Sequence, residues 1–502
     1  MTHPLHATSV VDALAADLRS AAYTTDGVAA LLGADANAAF SRGLWWSAMR
    51  VTDRPGPGDE RLAVLVRLFL LGAGETPERV ALAMPTAGVD ALVANGVVEC
   101  TDDGSLRAVL DIRPHGDGVH DFLVVSDQDA AMHPAPVRHD HVLGIGGASV
   151  TLANAVVRSP VGRALDVGTG SGIQALHLSA HCEQIVATDT NERALALAAA
   201  SARLNGMRWD LRHGSLFEPV AGERFDLIVS NPPFVVGTGA LDYLYRDSGM
   251  AGDALSQKLI EEVGDHLEPG GTAQIMANWM VRDGEDWRER VEGWLAGTGL
   301  HAWVVQREFA DPISYVSLWT SDAGERPEDA ARRGGSWLDW FADEGVAGVG
   351  MGMITVRAPR RGEHRPPDRI LEEITEADEG LTGPEVEAFF ARRQYLYDTD
   401  DTALLAAKLS TAPVVLEEHS LPGADGWQVV GAAVRRSGGP GATLGVDEVS
   451  RALFAGCRGE VPLGSLVELL AAHHGVDAGA LAEAAMPVVR EAIGRGILYQ
   501  AT

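Results

Sequence analysis

Cysteine is scarce in this chain of 502 residues. Only three occur, Cys100, Cys182 and Cys457, and they are scattered without CxxC spacing. A disulfide framework and a cysteine-based zinc site both need clustered or regularly spaced thiols, so the sequence indicates neither. We therefore expect the protein to work in a reducing cytosol.

Long apolar runs are also missing. No apolar stretch approaches the 18 residues that a membrane-spanning helix needs, and the first residues lack a basic region followed by an apolar one. These absences predict a soluble, cytoplasmic protein with no membrane partner.

Positive charge is in short supply. The chain has 40 Lys and Arg residues against 70 Asp and Glu residues, which gives a formal net charge of -30. Most of the surface should repel free nucleic acid, although one basic face can exist within an acidic total. The length predicts two to four domains, each large enough to bury a core.

A glycine-rich run is the clearest pattern that the sequence does contain. Residues 164–172 read Ala-Leu-Asp-Val-Gly-Thr-Gly-Ser-Gly, which predicts a strand ending in a turn that opens a helix. Glycine carries no Cβ and tolerates positive φ, so Gly168, Gly170 and Gly172 would let the backbone approach a ligand closely. A tight turn with no ligand is the alternative.

An acidic residue follows about twenty positions later. Residues 185–189 predict the next parallel strand, with Asp189 at its carboxyl end, where an acid can hold ribose hydroxyls. A dinucleotide site is the nearer competitor, but its G-x-G-x-x-G pattern would need glycine at Ile173. The observed D-x-G-x-G-x-G run favours another nucleotide-like ligand.

A third motif follows a third buried strand. Residues 225–230, Phe-Asp-Leu-Ile-Val-Ser, lead directly into Asn231-Pro232-Pro233-Phe234. Taken alone, this tetrapeptide could be a rigid turn after a strand. Its position behind the other two motifs favours a functional role.

These three motifs, in this order and spacing, resemble the class I S-adenosylmethionine-dependent N-methyltransferases over about residues 140–360. The nearest groups are the release-factor glutamine methyltransferases and the rRNA guanine-N2 methyltransferases. The resemblance implies a Rossmann-like α/β fold with a seven-stranded sheet and S-adenosylmethionine as cofactor. The cofactor-binding residues it implies are Asp166, Gly168, Thr169, Gly170, Gly172, Asp189, Thr190, Ser215, Leu216 and Asn231.

The adenine end of that implied site departs from the family pattern. Many members carry an acid at the position of Ser215, where it accepts a hydrogen bond from the adenine amino group. Here a hydroxyl stands in its place. Leu216 and Phe217 could still enclose the adenine, and ordinary core packing of these two side chains is an equal alternative.

The tetrapeptide supplies the residues for the implied chemistry, Asn231, Pro232, Pro233 and Phe234. A planar amide or exocyclic amine is a poor nucleophile because its lone pair is conjugated, so it must be oriented toward the methyl donor. The Asn231 side-chain oxygen and the Pro232 carbonyl can accept hydrogen bonds from the NH2 group, and Phe234 can stack on its plane. The two prolines stiffen the loop and preorganise these groups.

Three domains are predicted from the pattern of elements. Residues 1–135 show helices followed by a hairpin, the order of a winged helix, and residues 136–360 alternate strands and helices as in a parallel sheet with covered faces. Residues 361–502 form a C-terminal α+β domain. A second winged-helix-like module is suspected there, because residues 492–499 echo residues 91–98.

Several further segments are candidates for parts of the site. His133, His139 and His141 lack the geometry of a metal site, so no metal is predicted. Residues 142–149 are either a lid over the cofactor or a plain helix-capping turn. The Arg246-Asp247 pair either touches substrate or lies in a solvated loop, which is favoured.

Two further stretches fall outside these motifs. Residues 312–345, with Trp319, Trp337 and Trp340, favour a packed subdomain over a base-stacking platform. The basic stretch 358–368 predicts a linker that could touch phosphate.

Two classes of function follow. The favoured one is an enzyme that methylates nitrogen on a component of translation, with a protein factor or structured RNA as its macromolecular partner. The other is a non-catalytic, cofactor-binding scaffold or regulator with the same fold. An oxidoreductase is a third possibility, and binding of NADH instead of S-adenosylhomocysteine would identify it.

Overall fold

The protein is described by a computed structural model that covers residues 3–128, 137–241, 243–322, 326–375, 379–423 and 426–501. Two compact units divide the chain. The first comprises Met1–Ala153, Ser159–Trp303 and Glu308–Arg369. The second comprises Asn154–Arg158, Val304–Arg307 and Ile370–Thr502. In the described part of the chain, no helix combines the length and apolarity needed to span a bilayer.

The first unit begins with helices and two short antiparallel strand pairs. The helices are α1 (Thr8–Ser20), α2 (Thr25–Phe40), α3 (Trp46–Asp53), α4 (Glu60–Leu65), a π-helical turn (Val66–Leu70), α5 (Pro77–Ala83) and α6 (Val89–Ala94). The strands are β1 (Val98–Cys100), β2 (Leu106–Ala108), β3 (Leu110–Gly116) and β4 (Asp121–Asp127). Strand β1 pairs with β2, and β3 pairs with β4. Helix α5 begins at Pro77, and the Thr76 hydroxyl accepts the Arg79 amide as an N-cap.

The stretch 147–373, most of which belongs to the first unit, alternates strands and helices. Its strands are β5 (Val161–Val167), β6 (Cys182–Asp189), β7 (Asp210–His213), β8 (Phe225–Ser230), β9 (Leu267–Arg282), β10 (His301–Ala310), β11 (Val346–Arg357) and β12 (Arg369–Glu373). Its helices are α7 (Gly147–Ala155), α8 (Ile173–Leu178), α9 (Glu192–Leu204), α10 (Ala254–Val263), α11 (Trp287–Leu295), α12 (Pro312–Asp322) and α13 (Pro327–Asp343).

These strands form one sheet in the order β12-β10-β11-β9-β8-β5-β6-β7. Strands β9, β8, β5, β6 and β7 are parallel neighbours, and β11 runs antiparallel to β9. The predicted Rossmann-like fold is therefore confirmed. The predicted count of seven strands is too low, because β12 adds an eighth directly after the stretch interpreted as a linker. Its five half-exposed residues give no buried-strand pattern.

The amino-terminal elements share a hydrophobic core with α9. Buried side chains of α1 and the π-helical turn cluster with Leu197 and Leu204 of that helix. The Val125 amide also donates to the Ser201 hydroxyl, and Asp127 forms a buried ion pair with Arg193. The domain boundary near residue 135 remains a prediction, because residues 129–136 lie outside the described ranges.

The second unit is mainly helical with two small sheets. Its helices are α14 (Gly383–Asp398), α15 (Asp401–Ala406), α16 (Glu448–Gly456), α17 (Leu463–His474) and α18 (Ala478–Gly494). Its remaining strands are β13 (Lys408–Thr411), β14 (Val414–Gly423), β15 (Gly426–Arg436), β16 (Thr443–Gly445), β17 (Arg458–Pro462) and β18 (Leu498–Gln500). The sheets have the orders β17-β13-β18 and β14-β15-β16.

The predicted similarity between residues 91–98 and 492–499 is present in the structure. Helix α6 ends before Gly96 and β1, and α18 ends before Gly496 and β18. Both glycines adopt positive φ, 64° and 72°, which lets the chain leave the helix and enter a strand. The winged-helix assignment of either region stays a prediction.

Candidate functional site

The glycine-rich turn joins β5 to α8 and needs glycine at three positions. Gly168, Gly170 and Gly172 have φ values of 73°, 55° and 88°, the left-handed region that disfavours side chains. A Cβ on Gly170 would meet open space, whereas one on Gly172 would lie 2.7 Å from the Trp209 ring. The absence of a side chain at Gly172 therefore makes room for Trp209. At Gly170 it leaves open space beside the turn.

Two carboxylates, the buried Asp166 and the half-buried Asp189, hold this turn in place. Asp189, at the end of β6, accepts hydrogen bonds from the amides of Gly170 at 2.9 Å and Asn191 at 2.8 Å. Asp166 accepts the Thr169 hydroxyl at 2.7 Å. Burial raises the pKa of Asp166 to about 7, and the hydrogen bond from Thr169 only partly offsets it. Burial also raises the pKa of Asp189.

A cavity of about 890 Å³ opens at the carboxyl ends of β5, β6 and β8. In a parallel sheet these ends meet at one edge, which is where such folds bind ligands. Two predicted cofactor residues, Asp166 and Gly172, do not line the cavity and instead support the turn. The predicted site residues that line it are Gly168, Thr169, Gly170, Asp189, Thr190, Ser215, Leu216, Asn231, Pro232, Pro233 and Phe234.

Asn231 offers this cavity an acceptor. Its Nδ2 donates to the Ser149 hydroxyl at 3.2 Å, which fixes the orientation of the amide. Its Oδ1 is buried and has no hydrogen-bond partner among the described residues. Buried polar atoms are nearly always paired, so an oxygen in this state marks a place where a ligand donor fits.

The backbone of the tetrapeptide is partly self-satisfied. The Pro232 carbonyl accepts the Phe234 amide at 2.8 Å, so one of its two lone pairs is already used. Only the second lone pair of the Pro232 carbonyl is therefore available to an NH2 group. The Phe234 ring lies edge-on to Trp319, with centroids 6.3 Å apart.

The glycine-rich segment before α7 also lines the cavity, through residues 141–144 and 146–149. The Gln174 side chain of α8 donates to the Ser149 carbonyl at 2.9 Å and ties this segment to the helix after the glycine turn. Helix α7 begins at Gly147. The segment is thus both a helix entry and a wall of the cavity.

Phe217 is not part of the cavity wall. Its ring is buried and stacks on His266, with centroids 4.6 Å apart and an interplanar angle of 11°. Of the two alternatives for Phe217, core packing describes its position, because it stacks on His266 and does not line the cavity. Leu216 does line the cavity, and its φ of 48° is unusual for a residue with a side chain.

Arg246 lines the cavity. The prediction that it lies in a solvated loop is therefore wrong. Only 2% of its surface is exposed. Its guanidinium lies 4.7 Å from the centre of the Tyr243 ring, pairs with Asp247 at 3.4 Å and donates to the Trp319 carbonyl. The sequence signal for this burial is the pair of tyrosines, Tyr243 and Tyr245, just before Arg246.

Helices α12 and α13 hold the chain just after Phe234. No local sequence motif predicts these contacts. The Tyr315 hydroxyl accepts the amide of Val236 at 2.9 Å, and Trp337 Nε1 donates to the Val236 carbonyl at 3.0 Å. Asn278 also donates to the Tyr315 hydroxyl at 2.9 Å. The predicted packed subdomain is therefore present, and it fixes both backbone groups of Val236.

Two of the three histidines before α7 make other contacts in the described ranges. The His139 carbonyl accepts the amide of Leu244, and the His141 ring lies 3.7 Å from Asp127. The third candidate, His133, lies outside the described residues. Within the described ranges, no group of three or more His, Cys, Asp or Glu side chains has the geometry to hold a metal ion.

Comparison with protein families gives three matches along the chain. The methyltransferase small domain matches residues 144–285, which contain all three motifs. Two domains of unknown function, DUF7059 and DUF7782, match residues 20–109 and 387–500. The central match confirms the predicted resemblance to methyltransferases.

Curated relatives align with the same central region. A release factor glutamine methyltransferase of Geobacter sulfurreducens is 35% identical over 165 residues, which cover 30% of this chain and 55% of the relative. A ribosomal RNA small subunit methyltransferase C of Alcanivorax borkumensis is 28% identical over 159 residues, 31% of this chain and 44% of the relative. A release factor glutamine methyltransferase of Xylella fastidiosa is 38% identical over 131 residues, 23% of this chain and 47% of the relative. The chain thus spans about half the length of these relatives.

Proposed function

We propose that this chain, whose residues 144–285 match the methyltransferase small domain, is an S-adenosylmethionine-dependent N-methyltransferase. Its acceptor is a planar amide or exocyclic amine on a component of the translation machinery. The relatives named above modify release factors or ribosomal RNA, which supports this class of target.

One observation carries the proposal. The buried Oδ1 of Asn231 has no hydrogen-bond partner among the described residues, and Asn231 lines the large cavity at the carboxyl end of β8. A neutral amide oxygen is an acceptor only, so it selects a donor such as the NH2 group of an amide or an amine. An unsatisfied buried acceptor costs stability, and a substrate donor removes that cost on binding.

The cavity fits a nucleoside cofactor. Its volume of about 890 Å³ is within the range of small-molecule sites, and Gly168 and Gly170 add no side chain to its wall. Asp189 lies at the end of β6, where a carboxylate can accept from ribose hydroxyls. S-adenosylmethionine, when bound, supplies an electrophilic methyl group.

The chain's own residues orient the acceptor nitrogen. The hydrogen bond to Ser149 directs the Asn231 amide, so its Oδ1 is fixed before a substrate arrives. Phe234 offers a ring face to the planar group, and Trp319 limits the positions of that ring. Preorganised contacts of this kind lower the barrier because no rearrangement is needed during the reaction.

The stiffness of the loop follows from its surroundings. Two prolines fix φ, and the next residues are held by Tyr315 and Trp337 through Val236. The nitrogen becomes more acidic once methylated and can release its proton to water. No general base is required of the chain.

Transfer of tritiated methyl groups into extract from cells lacking the gene tests the proposal. The wild-type protein should label one class of macromolecule, identified by separate digestion with RNase and protease. Asn231→Ala should reduce the labelling rate by about 10²–10³-fold, the range for removing one preorganised hydrogen bond.

Calorimetric titration with S-adenosylhomocysteine provides the control. Binding to Asn231→Ala should stay close to wild type, because Asp189 and the glycine turn are intact. Asn37→Ala, a change on α2 away from the cavity wall, should leave both readouts unchanged. Full labelling by Asn231→Ala would show that the proposed role of Asn231 is wrong.

A further inference from the structure

Three consecutive large apolar residues are exposed at the start of α3. Leu44, Trp45 and Trp46 expose 45%, 42% and 67% of their surfaces. Single exposed apolar residues are common, but a contiguous group that includes two tryptophans marks an interaction site. The only other tryptophan exposed to this extent in the described ranges is Trp427.

Two exposed arginines flank this group along the chain. Arg50 follows Trp46 by four positions on α3, so the two side chains are neighbours on one helix face. Arg42 lies in the exposed turn just before Leu44. Neither arginine forms an ion pair with a described residue. We call Arg42, Leu44, Trp45, Trp46 and Arg50 the tryptophan patch.

The side of α3 opposite Trp46 and Arg50 packs into the core. Ala48 and Thr52 are fully buried, and Ala48 joins the core of the first unit. The Thr52 hydroxyl donates back to the Ala48 carbonyl at 2.8 Å. Within the described chain, neither exposed indole stacks on another ring or on a cation. Trp46 and Arg50 can therefore change without loss of core packing.

The local charge is opposite to that of the whole chain. Residues 41–54 contain three arginines and one aspartate, whereas the chain carries a formal net charge of -30. An acidic protein that binds a polyanion needs a locally basic binding surface of this kind. Exposed indoles next to guanidinium groups suit unstacked bases, because the rings stack on bases while the cations meet phosphates.

We propose that the tryptophan patch binds single-stranded segments of an RNA substrate, an inference that rests on the proposed methyltransferase function. This inference favours structured RNA over a protein factor as the methyl acceptor. The patch lies within the region that matches a domain of unknown function, residues 20–109, and assigns that region a substrate-holding role.

Binding of a fluorescein-labelled 20-nucleotide RNA of mixed sequence, followed by anisotropy, tests the proposal on the full chain. The variant carrying both Trp45→Ala and Trp46→Ala should bind at least about 10-fold more weakly, since each stacked base contributes on this scale. The Arg42→Gln and Arg50→Gln double variant should flatten the slope of log K against log salt by about 1.4, since each single-strand phosphate contact contributes about 0.7. Trp427→Ala is the matched control and should bind like wild type.

Methyl transfer in the same extract separates the possible results. The inference predicts RNase-sensitive label that drops with the tryptophan double variant, while its binding of S-adenosylhomocysteine is unchanged. Unaltered RNA binding by both double variants would overturn it. Protease-sensitive label that falls with the tryptophan variant would also overturn it, by showing a protein-docking surface. Absence of any label with the wild type would instead refute the proposed function itself.

Discussion

Two alanine substitutions in the glycine turn should have different consequences. At Gly170 an added Cβ meets open space, so the cost is the left-handed backbone alone, about 1–2 kcal/mol. At Gly172 the same backbone strain is joined by a Cβ only 2.7 Å from the Trp209 ring. That ring is held by a 3.0 Å hydrogen bond from its Nε1 to the Ser179 hydroxyl. Overpacking adds about 1–3 kcal/mol, so Gly172→Ala should cost about 2–5 kcal/mol in total.

Ligand binding should show the opposite order. A methyl group at residue 170 lies in the cavity wall, where it occupies space that a nucleoside needs, so Gly170→Ala should lower affinity for S-adenosylhomocysteine by at least about 10-fold. Residue 172 does not line the cavity, so the folded fraction of Gly172→Ala should bind nearly as wild type. Urea denaturation gives the free energies of unfolding, and calorimetry gives the affinities. Equal destabilisation by the two changes, or wild-type affinity in Gly170→Ala, would refute this division of roles.

Three further predictions concern groups that support the site. The pKa of Asp166 is raised from 3.8 to about 7, so its contribution to stability is present below pH 3.8 and is lost as pH rises to about 7, roughly 4 kcal/mol in all. Asp166→Asn should remove this fall between about pH 4 and 7 in urea titrations, and an unchanged pH slope would contradict the assignment. Arg193→Ala leaves Asp127 buried without its ion pair and should cost about 3–5 kcal/mol, measured by denaturation; a loss below about 1 kcal/mol would show the pair to be unimportant. Tyr315→Phe removes the acceptor of the Val236 amide and should cost about 1–3 kcal/mol and slow methyl transfer without weakening S-adenosylhomocysteine binding; an unchanged rate would argue against loop positioning by Tyr315.

The features that the sequence predicted correctly are those with local causes. A strand, a positive-φ turn and a helix start are set by neighbouring residues, so the turn at Gly168–Gly172 and the acid at Asp189 could be placed on one sheet edge in advance. Strand β11 also has a local cause, because a long apolar run between turns leaves few alternatives.

The features that were missed depend on contacts between distant parts of the chain. Trp337 meets Val236 across 101 positions, and no periodicity in α13 indicates that partner. The sequence predicts that Phe217 is buried, as aromatic residues usually are. It does not predict that its partner is His266 and not a bound ligand. Arg246 was interpreted as solvated because arginines usually are, and its burial depends on Tyr243 and Trp319.

The most direct measurement is a crystal structure of the protein grown with S-adenosylhomocysteine. We expect the nucleoside to lie in the large cavity, with its ribose at Asp189 and its sulfur facing the side of the cavity that Asn231 lines. An empty cavity in saturated crystals, or a ligand whose sulfur points away from Asn231, would contradict the account.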